Sequence, residues 1–129
     1  PYGFQRVWPF SDDCELISRY ENQEEKSMLD MESHVIRLGD VVFATNAFEL
    51  YVDYAMRIRS RSKALQTFLV QIADACGFYL PTQRAVDHGH YSALVKSCWV
   101  GPEGGQVLVE NTVAAIDRLF EGEDYPKTR

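Results

Sequence analysis

Apolar residues recur along the chain at two spacings, and the changes between them predict the elements. Ser11, followed by Asp12 and Asp13, is placed to cap a helix whose face is marked by Leu16, Ile17 and Tyr20. Ahead of it, Tyr2, Phe4, Val7, Trp8 and Phe10 form an aromatic stretch interrupted by Pro9, which predicts an extended segment over the core. Met28, Met31, Val35 and Leu38 make one side of a second helix over 24–38, with Gly39 positioned to stop it. Residues 40–44 then read as a strand. From Phe48 to Ile58 every even position is apolar (Phe48, Leu50, Val52, Tyr54, Met56 and Ile58), a period of two. Phe48, Tyr51, Val52, Ala55 and Met56 also fit a helical stripe, but the strand is preferred, with Thr45-Asn46 as the turn of a hairpin.

The second half repeats the alternation. Ser60 or Ser62 caps the helix with the clearest pattern, lined by Leu65, Phe68, Leu69, Ile72, Ala73 and Cys76 and ended by Gly77 before Pro81. After a loop over 82–89, residues 90–100 read as a strand. The Gly-Pro-Glu-Gly-Gly run at 101–105 reads as a loop and 106–110 as the returning strand of a second hairpin. Asn111 or Thr112 caps a last helix with Val113, Ile116, Leu119 and Phe120 inward. Two hairpins among about four helices predict an α+β fold with a mostly antiparallel sheet. No strand–glycine-loop–helix unit supports a doubly wound nucleotide-binding fold.

Length and composition narrow the classes. The chain has 129 residues, 46% hydrophobic and 25% charged, which suits one globular domain over 1–121 with a flexible acidic tail over 122–129. No apolar run approaches the roughly 20 residues that cross a bilayer, so no membrane association is expected. A net charge of −6 argues against a globally electrostatic nucleic-acid binder. Three cysteines, Cys14, Cys76 and Cys98, cannot all pair within one chain, which favours a reducing compartment. The opening at Pro1 and the close on Lys127-Thr128-Arg129, after a polar acidic stretch, predict a protease-trimmed core of a longer protein with a C-terminal extension.

Few residues carry candidate chemistry. Asp87, His88 and His90 could begin a metal site, completed by Cys98 or His34, but the spacing is poor and no metal or other cofactor is expected. Cys98, with histidines eight and ten residues upstream, is the candidate for a thiol enzyme. No cysteine-enzyme motif surrounds it, and it reads as packing, as does Cys76 on its helix face. The glycines at 101–105 lack the lysine and hydroxyl of a phosphate loop. Adjacent carboxylates such as Glu24 and Glu25 point different ways on a helix and read as solvated. No catalytic residues are assigned, so a non-enzyme is expected.

One constellation stands out. Arg57, Arg59, Arg61 and Lys63 place four of the 13 basic residues in seven positions. On a strand ending at Ile58, Arg57 and Arg59 would project together, with Arg61 and Lys63 at the start of the next helix, a site for RNA or other phosphate. The alternative is complementarity to residues 12–32, which hold eight of the 19 acids, within the molecule or in a second copy. Aromatic anchors and the segregation of acid from base favour protein contact, including self-association.

The Pro1-Tyr2-Gly3-Phe4 opening, the central segment 62–77 and the Lys127-Thr128-Arg129 end give the chain a resemblance. As a whole it resembles the trypsin-resistant core of the protein-seven family, the minor assembly and packaging proteins of cystoviruses (double-stranded-RNA bacteriophages). The resemblance implies an α/β homodimer in the virion core or the bacterial host cytoplasm. It would accompany the viral polymerase and capsid proteins, assist procapsid assembly and promote packaging of single-stranded genomic RNA. The family offers no catalytic residues to carry over. The net negative charge leaves direct RNA contact to the missing tail or to Arg57, Arg59, Arg61 and Lys63.

Overall fold

A computed structural model describes residues 7–25 and 28–122, with side chains from 14 onward. The expectations for Tyr2, Phe4, the aromatic side chains up to Phe10 and the tail beyond Gly122 lie outside the described residues. The chain divides into two units, 1–30 and 31–129. In the first, helix α1 spans Val7–Glu21. Pro9 falls in its first turn, where a missing N–H breaks no helical hydrogen bond and the ring's fixed φ suits the helix. The segment around Pro9 is therefore helical rather than extended, and Ser11 lies in the second turn instead of capping the start. Of the expected face, Leu16 is half-buried while Ile17 and Tyr20 are exposed.

The second unit is α+β, with strands β1 Val35–Leu38, β2 Val41–Thr45, β3 Glu49–Leu50, β4 Gln66–Val70 and β5 Tyr79–Leu80. Its helices are α2 Val52–Arg61, α3 Gln83–Asp87 and α4 Pro102–Leu119, with a 3-10 turn at Tyr91–Ala93. The sheet is not mostly antiparallel, which corrects the two-hairpin expectation. β1 and β2 pair antiparallel, but β2 pairs parallel with β4, and β3 parallel with β5. A parallel neighbour needs a crossover, and α2 supplies it between β2 and β4.

Each corrected element has a physical reason. The expected helix over 24–38 is absent from its described residues: 28–34 are irregular and 35–38 are β1, because Gly39-Asp40 closes a two-residue hairpin turn with Leu38 opposite Val41. Gly39 adopts φ 60°, the left-handed value such a turn requires of its first residue. Burial along β1 then alternates, with Val35 and Arg37 half-buried, Ile36 and Leu38 exposed. The segment 48–58 is mostly helix: Tyr54, Ala55 and Ile58 are buried on α2 while Val52 and Met56 are exposed. Thr45-Asn46 makes no hairpin turn. Asn46 is buried and its backbone N–H donates to the Val70 carbonyl at 2.9 Å.

The expected helix over 62–77 is β4 and a loop. Ser62 is the C-cap of α2, and Ile72 and Asp74 hold positive φ, which no α-helix accommodates. Leu65, Phe68 and Ile72 are exposed, and so is Cys76, so the helical stripe never forms a face and Cys76 is not packing. Residues 90–100 form the 3-10 turn and irregular chain, and the loop over 82–89 contains α3, capped by the Thr82 hydroxyl accepting from the Ala85 N–H.

The second hairpin is replaced by α4. Gly101 is its N-cap and Pro102 its first residue, so the glycine-rich run opens a helix. Gly105, Leu108, Val109, Thr112, Val113 and Ile116 are its buried positions, spaced by three and four. The core lies where α4 and α2 meet the inner sheet face. Val42, Ile58, Leu80, Val109 and Ile116 are its most deeply buried side chains, joined by Phe48, Leu50, Tyr54 and Phe120. No helix among the described residues is long and apolar enough to cross a membrane.

Candidate functional site

The four basic side chains singled out in the sequence sit at the C-terminal end of α2 and just beyond it. Arg59 and Arg61 occupy its last turn, where positive charge complements the helix dipole; no helix begins there to offer amides to a phosphate. Arg57 and Arg61 are four residues apart and share the face toward α4. α4 answers with Gln106, Glu110 and Asp117, spaced by four and seven along its own stripe.

The contacts are specific. Arg61 meets Glu110 in a two-pronged pair, with Nη1 donating to Oε1 at 2.7 Å and Nη2 to Oε2 at 2.6 Å. Gln106 Nε2 donates to Glu110 Oε1 and accepts on Oε1 from Arg57 Nη2. The Arg57 guanidinium also lies 5.8 Å from the centre of the Tyr54 ring. Lys63 Nζ is 3.4 Å from Asp117 Oδ1. Arg59 turns the other way, its Nε donating to the Thr67 carbonyl of β4 at 3.2 Å. On a helix, residues two apart diverge, so Arg57 and Arg59 do not project together as a strand would have them. Among the described residues, the acids that meet this cluster are Glu110 and Asp117 of α4.

Hydrogen bonds from Arg61, helped by the charges of Arg61 and Arg57 and by Gln106, hold the Glu110 carboxyl below its ordinary value against the opposing effect of desolvation. A carboxyl lowered in the folded state stabilises it above the unfolded value and loses that contribution as pH falls through the folded one. The thermal midpoint of Glu110→Gln is therefore expected to fall below that of the parent at pH 7. The gap should close on acidification below the ordinary 4.5 of the group, read by calorimetry across pH. A gap independent of pH would remove the ion pair as its cause.

The remaining candidates take other places. His88 and His90 follow α3 on an exposed turn, and His88 Nδ1 lies 2.8 Å from the Arg84 carbonyl. The Cys98 thiol is half-buried and donates to the Leu94 carbonyl at 3.3 Å. His34, weighed only as a distant complement to His88 and His90, lies instead beside Glu32 and Asp74.

A feature not drawn from the sequence is the outer face of the β1-β2-β4 sheet. Ile36, Phe43 and Phe68 are directly opposite one another in register across the three strands, and Phe43 stacks on Phe68 with ring centres 5.0 Å apart. Leu38 and Val41 form the next row, and Val70 flanks it on the other side. Ile36 is 53% exposed, Leu38 64%, Phe68 44% and Val70 40%. The signal was present as alternating Val-Ile-Arg-Leu and Gln-Thr-Phe-Leu-Val, but helical spacing in the same residues concealed it. No protein-family model matches the chain, and neither a curated protein nor a solved structure matches it.

Proposed function

We propose that this chain is a non-enzymatic assembly protein that works through protein contact. The role is the one implied by its resemblance to the cystovirus minor core proteins: helping to build the polymerase complex and to package single-stranded genomic RNA. The observation that carries the contact reading is the outer sheet face. It presents Ile36, Leu38, Phe68 and Val70 side by side, each at least 40% exposed, and an apolar patch of this kind commonly marks an interaction site. The occupant we propose is a second copy of the chain. Two such faces packed sheet to sheet, with their polar rims, reach on the order of 1,000 Å² in total, the lower bound for a specific interface.

Sedimentation equilibrium of the parent and of Ile36→Asp/Leu38→Asp tests this. Both positions are exposed, so the variant should fold with the parent's circular dichroism and melt. The parent is expected to dimerise in the micromolar range and the variant to stay monomeric. A monomeric parent, or a variant that still dimerises, would overturn the reading.

RNA contact at Arg57, Arg59, Arg61 and Lys63 is the second part of the role. Here phosphate competes with Glu110 and Asp117 for Arg61 and Lys63. Fluorescence anisotropy with single-stranded RNA at two salt concentrations should show binding that weakens with salt and is lost when all four become alanine. Glu110→Gln/Asp117→Asn, which releases two of the bases, should bind tighter than the parent. RNA binding unchanged in both variants would remove this site.

A further inference from the structure

Glu32, His34 and Asp74 bring three metal-ligating atoms within 4.8 Å of one another, at the edge of the outer sheet face beside Thr45 and Val70 and away from the basic cluster. We propose that they form a binding site for a divalent cation of the zinc or manganese class. The donors converge because two distant segments are pinned to the same end of β2. The His34 N–H donates to Thr45 Oγ1 at 2.8 Å and its carbonyl accepts from the Thr45 N–H at 2.9 Å, which extends the β1–β2 pairing by one residue. Asp74 arrives from the loop after β4, where the Ala73 N–H donates at 3.0 Å to the carbonyl of Asn46, the residue that follows Thr45. Asn46 is itself buried, and its Oδ1 accepts from the Phe48 N–H at 3.0 Å, so the anchor is part of the core.

The spacing suits a metal. Glu32 Oε1 lies 3.3 Å from His34 Nε2. Two donors each bonded at about 2.0–2.1 Å to one tetrahedral ion stand roughly 3.3–3.4 Å apart, so this pair already has the separation a cation would impose. Asp74 needs only a side-chain adjustment to join them. One imidazole and two carboxylates combine a borderline nitrogen with hard oxygens, which suits Zn(II) or Mn(II) better than the all-oxygen preference of Mg(II) or the thiolate preference of Cu(I). With the imidazole neutral the set carries two negative charges, which a divalent ion balances. Three protein donors leave coordination positions open, and all three residues are exposed, so the site loads from solvent without any opening of the fold.

The test is isothermal titration of the full chain with Zn(II) and, separately, Mg(II). Parallel titrations use His34→Ala, Asp74→Asn and His88→Ala/His90→Ala. All the substituted side chains are exposed, so each variant is expected to fold, which its circular dichroism checks. One equivalent of Zn(II) is expected, bound more tightly than Mg(II), weakened at least about tenfold in His34→Ala and in Asp74→Asn and unchanged in His88→Ala/His90→Ala. Zn(II) binding that survives both single substitutions would place the ion on the thiols or the other histidines, and absence of binding below millimolar metal would leave no site. Either outcome overturns the assignment.

Discussion

Ile58→Ala is expected to destabilise the second unit by about 3–4 kcal/mol, the cost of an emptied core position that its surroundings only partly fill. In a unit of this size each kcal/mol moves the thermal midpoint by about 4–8 °C, so a loss of more than about 12 °C should be seen in a calorimetric scan. Ile58 is almost wholly buried among the residues that join α2, α4 and the sheet. Met56, two residues earlier and equally apolar, is exposed on the far side of α2, and Met56→Ala should change stability by no more than about 0.5 kcal/mol. The contrast matters because a strand over 48–58 would put Met56 and Ile58 on one face. Comparable losses at the two positions would mean that the helical assignment of α2 is wrong.

Gly105→Ala is expected to lower stability by about 2 kcal/mol, although alanine in place of glycine inside a helix ordinarily gains about 1 kcal/mol. Gly105 lies in the second turn of α4 with the Tyr54 ring directly over it. A Cβ there would come 2.2 Å from Tyr54 Cζ and 2.4 Å from its hydroxyl oxygen. The ring cannot yield cheaply, because Tyr54 is buried and its hydroxyl donates to the Pro81 carbonyl at 2.8 Å. Shifting it strains the packing and strands a buried polar group, each worth about 1–3 kcal/mol. A double-mutant cycle isolates the clash. In a Tyr54→Leu background, which has no atoms at those positions, Gly105→Ala should be neutral or stabilising. If it costs the same in both backgrounds, close approach of Tyr54 is not the reason for the glycine.

The same glycine explains one failure of the sequence reading. Glycines at 101, 104 and 105 suggested a flexible loop, yet Gly101 caps α4 and Gly105 admits an aromatic ring to its backbone. Glycine marks both flexibility and close packing, and a single sequence does not separate them. The buried spacing through Leu108, Val109, Thr112, Val113 and Ile116 was legible as a helix once Gly104 and Gly105 were allowed to stand inside it. In 62–77 the difficulty was different. Thr67, Phe68, Leu69 and Val70 suit a strand, but they also fall into a helical stripe with Leu65 and Ile72. The choice was made by β2, some 25 residues earlier, whose free edge pairs with β4 in parallel.

The basic cluster was legible as a concentration of charge. Its orientation was not, because a helix and a strand send Arg57 and Arg59 in different directions. Its counterions were not either, because Glu110 lies 49 residues from Arg61. In the same way Glu32 and His34 stand two apart in sequence, while nothing local announces Asp74.

By itself the sequence determined that this is a mixed α+β chain, that a strand follows Gly39, that a final amphipathic helix runs through Val113 and Ile116, and that positive charge concentrates over residues 57–63. These follow from composition, steric demands at glycine and proline, and side-chain periods long enough to be unambiguous. The tertiary structure alone decided the parallel pairing of β2 with β4, the sheet face left uncovered, the α4 partners of the arginines and the meeting of His34 with Asp74. Each of those depends on which distant segment arrives at a given edge or face, and short apolar runs suit more than one partner until the whole core is assembled.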